Sequence, residues 1–307
     1  MNALNNQEQY YELRFVINPE MEEEISNMCF ETFDCDGVIL EEEAFKDLEM
    51  ISTTKGTLKA FIKDPENIAE RLKSAREMMI ARGFSEEDLG SWEFTVTKIE
   101  NEDWSKKWKE KWDVTHVTDK ITVVPTWIEY QPKDHEVIIK LDPGCAFGTG
   151  THQTTQLCMK ALEKYMPEKA EVADIGMGSG ILAILAKKLG ATKVYGCDND
   201  ETVIQTAIDN AKLNDCTDIT FELNTADKIK DKFDFVCANI LHNVLFEIMG
   251  DLKNIMKDNA YLSLSGILDE KKPVVLEAIK KFNLELIKEV HQDQWVALIV
   301  RKVEYND

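Results

Sequence analysis

The chain has 307 residues, of which 44% are hydrophobic and 30% charged, a balance typical of a globular protein with room for two domains. Its longest apolar runs, residues 181–186 and 295–300, are far below the roughly 18 residues of a membrane span, so no membrane partner is expected. The formal charge of −21, from 36 basic and 57 acidic residues, disfavours direct nucleic-acid binding and favours a basic protein as partner.

Cysteine usage and the N-terminus both predict a reducing, cytoplasmic setting. The seven cysteines are odd in number and lack CxxC spacing, which argues against a disulfide framework and against a zinc ribbon. No metal site is therefore predicted. Residues 1–11 have neither a basic start nor an apolar stretch, so no signal peptide is expected.

Residues 1–99 are predicted to form a small α+β domain. Two amphipathic helices begin near Pro19 and Pro65 and alternate with strand patterns at residues 10–17, 37–41, 56–62 and 92–99. The resulting order, βαββαβ, is that of a ferredoxin-like unit. The segment holds 22 acidic and 10 basic residues but no glycine-rich loop and no chemically active cluster, so it is interpreted as the substrate-binding domain.

Residues 100–114 are predicted to form a linker helix, because Trp104, Trp108 and Trp112 lie four residues apart on one face. This stripe is expected to pack against a domain, and an aromatic surface for a cation is the alternative.

Residues 115–307 are predicted to form an α/β domain with a doubly wound, mostly parallel sheet, because buried-type strands alternate with helices. Those strands are expected at residues 172–175, 193–197, 219–223, 233–238 and 261–265, and residues 295–300 are expected to close the sheet.

The strongest chemical signal is the segment 172–184, in which a buried strand runs through Gly176, Gly178 and Gly180 into a helix. Glycines at these positions let backbone NH groups approach a ligand that a Cβ would push away. A dinucleotide fingerprint requires its third glycine where this chain has Ile181, so a pyrophosphate is disfavoured. S-adenosylmethionine, which has no phosphate, suits the loop better, and a tight turn without a ligand is the alternative.

Two further candidate side chains, Asp198 and Asn239, lie at the ends of predicted strands, and the strand of Asp198 is expected beside that of Gly176. Asp198 is placed to accept hydrogen bonds from both hydroxyls of a ribose, whereas Asp200 is interpreted mainly as a helix cap. Asn239 follows the strand 233–238, where its side-chain carbonyl could accept a hydrogen bond from an amine and aim the amine lone pair. A cap at the strand end is the alternative for Asn239.

A second glycine-rich segment, residues 141–155, contains Gly144, Gly148 and Gly150 and leads into a helix. It is predicted to fold over the cofactor, with Phe147 covering it and a threonine hydroxyl bonding its polar end; an ordinary flexible connection is the alternative. No dedicated base is obvious for an amine nucleophile. His152 and His242 are candidates by position, and each is alternatively a structural hydrogen-bonding residue.

With these segments, the sequence resembles the PrmA-type methyltransferases that modify large-subunit ribosomal protein L-eleven (L11). The similarity runs from about residue 100 to residue 270, and its most specific element is the F-G-T-G-T-H-Q-T-T stretch of residues 147–155. The matching segments are residues 102–104 with Trp108, 124–127, 141–155, 174–184 and 238–241.

The resemblance implies a class I methyltransferase fold and a division into residues 1–99, 100–114 and 115–307. It implies that S-adenosylmethionine contacts Thr155, Gly176, Asp198 and Asn239, with Gly178 and Phe147 in the same site and Asn239 also facing the incoming amine. The expected reaction is methylation of lysine side-chain amines of L11, up to trimethyl-lysine, with the N-terminal amine as a further candidate.

Three alternatives stay open at this point. The chain could methylate another protein or a small amine, or bind a ribosomal protein without catalysis. An NAD-dependent oxidoreductase is the alternative from another class of enzyme, but it would need a glycine at position 181 and a site that handles hydride.

Overall fold

The structure is a computed structural model that describes residues 10–18, 21–33, 35–42, 56–99, 113–141 and 150–303. The chain divides into two compact units, residues 1–112 and 113–307. The predicted linker helix lies outside the described residues except for residues 113 and 114, and the segment 142–149 with Phe147 also lies outside them.

The first unit has the predicted ferredoxin-like order. Its elements are β1 (Tyr11–Ile17), α1 (Glu22–Phe33), β2 (Cys35–Glu42), β3 (Gly56–Ile62), α2 (Ile68–Ala81), α3 (Glu86–Leu89) and β4 (Phe94–Lys98). The strands form an antiparallel sheet in the order β2-β3-β1-β4. The short helix α3 was not predicted, although Ser85 and Asp88 form a capping box that the sequence spacing could have indicated.

The core of this unit follows from the alternation of apolar residues along β1. Leu13, Phe15 and Ile17 are buried, and they pack in one cluster with Ile25 of α1 and Leu72 of α2. Because alternate residues of a strand point to opposite faces, both helices cover one face of the sheet.

The second unit contains a seven-stranded sheet in the order β10-β9-β8-β11-β12-β14-β13. All neighbouring pairs except those of β14 are parallel, as the α/β prediction required. The strands are β8 (Glu171–Ile175), β9 (Lys193–Asp198), β10 (Thr220–Leu223), β11 (Phe233–Asn239), β12 (Met256–Leu268), β13 (Leu284–Gln292) and β14 (Trp295–Lys302). A smaller sheet, in the order β5-β6-β7, consists of Thr115–His116, Ile121–Pro125 and Val137–Leu141.

Helices cover both faces of the seven-stranded sheet. They are α4 (Gln153–Tyr165), α5 (Ile181–Lys188), α6 (Glu201–Leu213), α7 (His242–Asn254) and α8 (Lys272–Lys281). Apolar residues of α4 and α5 pack with one face, and those of α7 and α8 pack with the other. The predicted doubly wound fold is therefore confirmed.

One expectation about the sheet is wrong. Residues 295–300 do not close it, because β14 lies between β12 and β13 and is fully buried along residues 295–300. The edge is formed by β13, which the sequence did not reveal because its side chains are mostly exposed or half-buried and carry no clear apolar run. An edge strand is hydrogen-bonded on one side only and needs fewer apolar residues than an interior strand.

Candidate functional site

Strand register brings three predicted site segments to one edge of the seven-stranded sheet. Strand β8 lies between β9 and β11, with Ile175 opposite Cys197 on one side and opposite Ala238 on the other. The residues that follow these positions are Gly176, Asp198 and Asn239. The carboxyl ends of three neighbouring parallel strands therefore meet at one crevice, the usual ligand position in this type of sheet.

The glycine loop after β8 adopts a backbone that requires glycine. Gly176, Gly178 and Gly180 have φ of 69°, 49° and 77°, in the left-handed region that other residues rarely adopt. A Cβ on Gly176 would also overlap with the side chain of Ile240, directly after Asn239. The NH groups of Gly176 and Met177 both donate to the Cys197 carbonyl, at 2.9 and 3.1 Å, which ties the loop to β9.

Asp198 and Asp200 have separate roles in the structure. Asp198 Oδ2 accepts a hydrogen bond from the Gly178 NH at 3.0 Å, and Oδ1 accepts one from the Asp200 NH at 3.1 Å. Burial raises the pKa of Asp198. Asp200 caps α6, because its Oδ1 accepts from the Thr202 NH at 2.8 Å. The two oxygens of a carboxylate offer about four acceptor sites, so Asp198 can still accept from a ligand hydroxyl.

Asn239 and Thr155 meet although they lie 84 residues apart in the chain. Asn239 Nδ2 donates to Thr155 Oγ1 at 3.3 Å, and both residues are buried. Within the described part of the chain, Asn239 Oδ1 has no hydrogen-bond partner although it is shielded from solvent. Leaving a buried acceptor unpaired is costly, about 1–3 kcal/mol, so Oδ1 is available to a donor that enters the crevice.

Asp174, two residues before Gly176, belongs to the site although the sequence analysis gave it no role. It is fully buried, and its Oδ2 accepts from the Ala183 NH at 3.1 Å, at the start of α5. Its Oδ1 has no partner among residues that the structure describes. Burial, together with the nearby charge of Asp198, raises its pKa to about 7. An acid inside the otherwise apolar run V-A-D-I was the available signal.

The two candidate histidines differ in their positions and contacts in the structure. His152 is the N-cap of α4: its Nδ1 accepts from the Thr154 NH at 3.3 Å and lies 2.7 Å from Thr154 Oγ1. Burial lowers the pKa of His152 to about 4, so it is a poor proton acceptor at neutral pH. The structural alternative is therefore favoured for His152. His242 is the first residue of α7, directly after the segment that contains Asn239.

Gly150 and Ser265 of β12 complete the surroundings of the site. Gly150 has φ of 80°, and a Cβ there would lie 2.9 Å from Ile181 Cδ1, so the chain entering α4 packs against the start of α5. Ser265 lies opposite Asn239 in the β11–β12 register. The sequence analysis did not identify Ser265, because no local pattern marks a serine within a strand.

These residues fit S-adenosylmethionine better than a phosphate-bearing cofactor. The loop backbone allows close approach, and the Asp198 carboxylate lies beside it, bonded to the Gly178 NH. A carboxylate favours a cation and repels a phosphate. The unpaired Asn239 Oδ1 adds an acceptor for a donor group, such as an amine.

Among the described residues, no helix is long and apolar enough to cross a membrane.

Comparison with known families gives a match over nearly the whole chain. The sequence model of the family described as "Ribosomal protein L11 methyltransferase (PrmA)" matches residues 9–303. A curated protein of that name from Listeria monocytogenes serotype 4b is 38% identical over 248 residues, which cover 80% of this chain and 79% of that protein. Another, from Caldicellulosiruptor bescii, is 32% identical over 303 residues, covering 95% and 99% of the two chains.

The fold also has a counterpart among solved structures. A ribosomal protein L11 methylase from Lactobacillus delbrueckii subsp. bulgaricus superposes with a TM-score of 0.59 and is 33% identical in sequence. The superposition covers 63% of this chain and 99% of that one.

Proposed function

The chain belongs to the ribosomal protein L11 methyltransferase (PrmA) family, and on that premise we propose that it transfers methyl groups from S-adenosylmethionine to lysine side-chain amines of L11. The observation that carries the proposal is the unpaired, buried Oδ1 of Asn239 at the same sheet edge as the glycine loop. An acceptor in that position suits an amine substrate.

Different residues of the crevice are proposed to contact different parts of the cofactor. We propose that Gly176 and Gly178 let the backbone approach the cofactor, that Asp198 accepts from its ribose hydroxyls, and that Thr155 and Asn239 border its reactive end. S-adenosylmethionine, when bound, supplies an electrophilic methyl group and a positive charge. Phe147 is retained as a proposed covering residue on the basis of the glycine-rich sequence pattern of residues 141–155 alone.

Asn239 would orient the substrate amine. Its Nδ2 is occupied by Thr155, so its Oδ1 is the atom left to accept an amine N–H. Accepting that hydrogen bond fixes the amine nitrogen and aims its lone pair along one direction, which lowers the entropic part of the barrier. No covalent bond to the protein is required.

The substrate amine must be neutral before it can react. A free lysine has a pKa of about 10.4, so few molecules are neutral at pH 7. Removing the amine from water and placing it beside a cation both lower its pKa. His152, whose pKa is about 4, is not assigned the proton, and His242 remains the candidate acceptor.

The first unit is proposed to bind L11. Residues 1–99 hold 22 acidic and 10 basic residues, and this excess of negative charge supports attraction of a basic protein. We further propose a cytoplasmic location, because the proposed substrate is a ribosomal protein.

The test is intact-mass and peptide mass spectrometry of purified L11 after incubation with the enzyme and S-adenosylmethionine. Mass gains in multiples of one methyl substitution, mapped to lysines, are expected. Calorimetric titration with S-adenosylhomocysteine and with NAD should give binding only for the former. Unchanged L11 would contradict the substrate, and binding of NAD alone would contradict the cofactor.

A further inference from the structure

Strand β12 carries two buried serines on the face that α4 covers. Ser263 and Ser265 are both fully buried, whereas the alternate residues Leu262, Leu264 and Ile267 pack in the apolar cluster on the opposite face. Serine contributes little to an apolar core, and its hydroxyl must be hydrogen-bonded when buried. Both hydroxyls are paired with α4.

The two serines form successive hydrogen bonds along one helix. Ser265 Oγ donates to the Thr154 carbonyl at 3.2 Å, and Ser263 Oγ donates to Cys158 Sγ at 3.7 Å. Residues two apart on a strand thus meet residues four apart on a helix, as the two periodicities allow. The bond from Ser265 is the one next to the site, because Thr154 precedes Thr155.

These contacts form a closed ring of hydrogen bonds and chain segments that includes Asn239. Ser265 lies opposite Asn239 on the neighbouring strand, and its carbonyl accepts from the Ile240 NH at 3.2 Å. Its hydroxyl holds the Thr154 carbonyl, and the next residue, Thr155, accepts from Asn239 Nδ2. The ring therefore passes through Asn239, Ser265, Thr154 and Thr155 and returns to Asn239.

Gly266, the next residue of β12, lies close to the backbone of Ile240, which follows Asn239. It has φ of 79°, and a Cβ there would lie 2.5 Å from the carbonyl oxygen of Ile240. The segment that contains Asn239 and Ile240 is thus in close contact with Ser265 and Gly266. Asn239 can change position only if its neighbour on β12 or the first turn of α4 also moves.

We propose that Ser265 is a positioning residue for the methyl-transfer reaction. By holding the first turn of α4 against β12, its hydroxyl sets the position of Thr155 Oγ1. Thr155 Oγ1 in turn holds the Asn239 side chain in the place where its Nδ2 donates to that oxygen and its Oδ1 is left for the substrate amine. This inference rests on the proposed function of Asn239.

Ser263 provides a matched control within the same strand and helix. Its hydroxyl is equally buried and also bonded to α4, but its partner lies one turn further from Thr155. Both variants lose a buried hydroxyl that bonds to α4, and Ser263→Ala should lose somewhat less stability in urea because a thiol is the weaker acceptor. A purely structural role for both serines would give comparable activities in the two variants.

The experiment measures kcat and KM for L11, together with S-adenosylhomocysteine affinity by calorimetry, in the full-length protein. Ser265→Ala is expected to lower kcat about tenfold, the effect of losing one orienting hydrogen bond, with KM for L11 unchanged. Ser263→Ala should keep the wild-type kcat. Ser265→Thr, which retains the hydroxyl, should restore kcat. Ser265→Cys, with similar volume and a weak donor, replaces Ser265→Ala if that variant does not fold.

Two outcomes would overturn the inference, and they are distinguishable. If the wild type methylates L11 but Ser265→Ala and Ser263→Ala have equal kcat, Ser265 has only a structural role. If the wild type itself leaves L11 unmethylated, the proposed function fails and this inference fails with it.

Discussion

The two halves of the crevice are built in different ways. The glycine-loop half, residues 176–180 with Asp198, consists mainly of backbone, and its segments follow one another closely in the chain. The amide half consists of side chains from α4, β11 and β12, namely Thr155, Asn239 and Ser265. The hydrogen bonds that join it connect residues 84 and 111 positions apart in the chain. Backbone shape should therefore determine cofactor binding, and side-chain orientation should determine the rate of transfer.

The largest effect on cofactor affinity is expected from Gly176→Ala. The new Cβ would overlap with Ile240 in a left-handed backbone conformation, so the loop must shift or the variant must unfold. We expect stability to fall by about 2 kcal/mol or more and S-adenosylhomocysteine affinity to fall at least tenfold. Urea unfolding and calorimetry measure the two effects.

Gly190→Ala is the control for that substitution. Gly190 also has a left-handed φ, of 100°, but a Cβ there meets nothing within 4 Å. It should cost about 1 kcal/mol in backbone strain alone and leave affinity unchanged. Equal affinities for Gly176→Ala and Gly190→Ala would contradict the close approach assigned to the loop.

Asp174 lies between the two halves and gives the next largest effect, on the pH dependence of stability. Its pKa is raised from 3.8 to about 7 in the folded chain, so the unfolded chain releases this proton at lower pH. Stability is therefore lost as pH rises from about 4 to about 7. The thiols of Cys197, Cys237 and Cys158, which interact with it, have pKa values that burial raises, so they stay protonated in this range.

Asp174→Asn should remove that loss. Relative to the wild type, the variant is expected to gain on the order of a few kcal/mol between pH 4 and pH 7. Urea unfolding of the cofactor-free protein across this range measures it. Asp209→Asn, on the exposed face of α6, should show no such gain. Parallel pH curves for the wild type and Asp174→Asn would contradict a buried, protonated Asp174.

The smallest effect is expected outside both halves, at Tyr130. Glu136 accepts from the Lys133 NH at 2.8 Å and from the Tyr130 hydroxyl at 2.9 Å, contacts that lower its pKa. This stabilisation is present above the ordinary pKa of Glu136 and is lost as pH falls through the lowered value. Tyr130→Phe should lower Tm slightly at pH 7, with a smaller difference below pH 4. An equal difference at both pH values would contradict the stabilisation of the Glu136 carboxylate by Tyr130.

The contrast between the halves also explains what the sequence could predict. The glycine loop, Asp198 and the strand end at Asn239 are local patterns, and the glycine φ values and the register of β8, β9 and β11 agree with them. Hydrophobic periodicity likewise predicted both units of the fold. These features depend on residues that are neighbours in the chain or that end adjacent strands.

Long-range contacts account for most of what was missed. The pairing of Thr155 with Asn239, the bond from Ser265 and the burial of Asp174 all depend on how α4 and three strands pack together. For His152 the cap contact with Thr154 is local, and it is the burial that lowers its pKa that the sequence could not show. The edge strand β13 was missed for lack of an apolar run.

The glycine loop is expected to determine cofactor binding and the Asn239 side chain to determine the rate of transfer. The most direct test compares methyl transfer and S-adenosylhomocysteine affinity in Asn239→Ala. We expect kcat to fall about 100-fold, because the amine loses its acceptor. The affinity for S-adenosylhomocysteine should fall less than tenfold, because the glycine loop is intact. Equal losses in the two quantities, or an unchanged kcat, would contradict the assignment of Asn239 to the substrate amine.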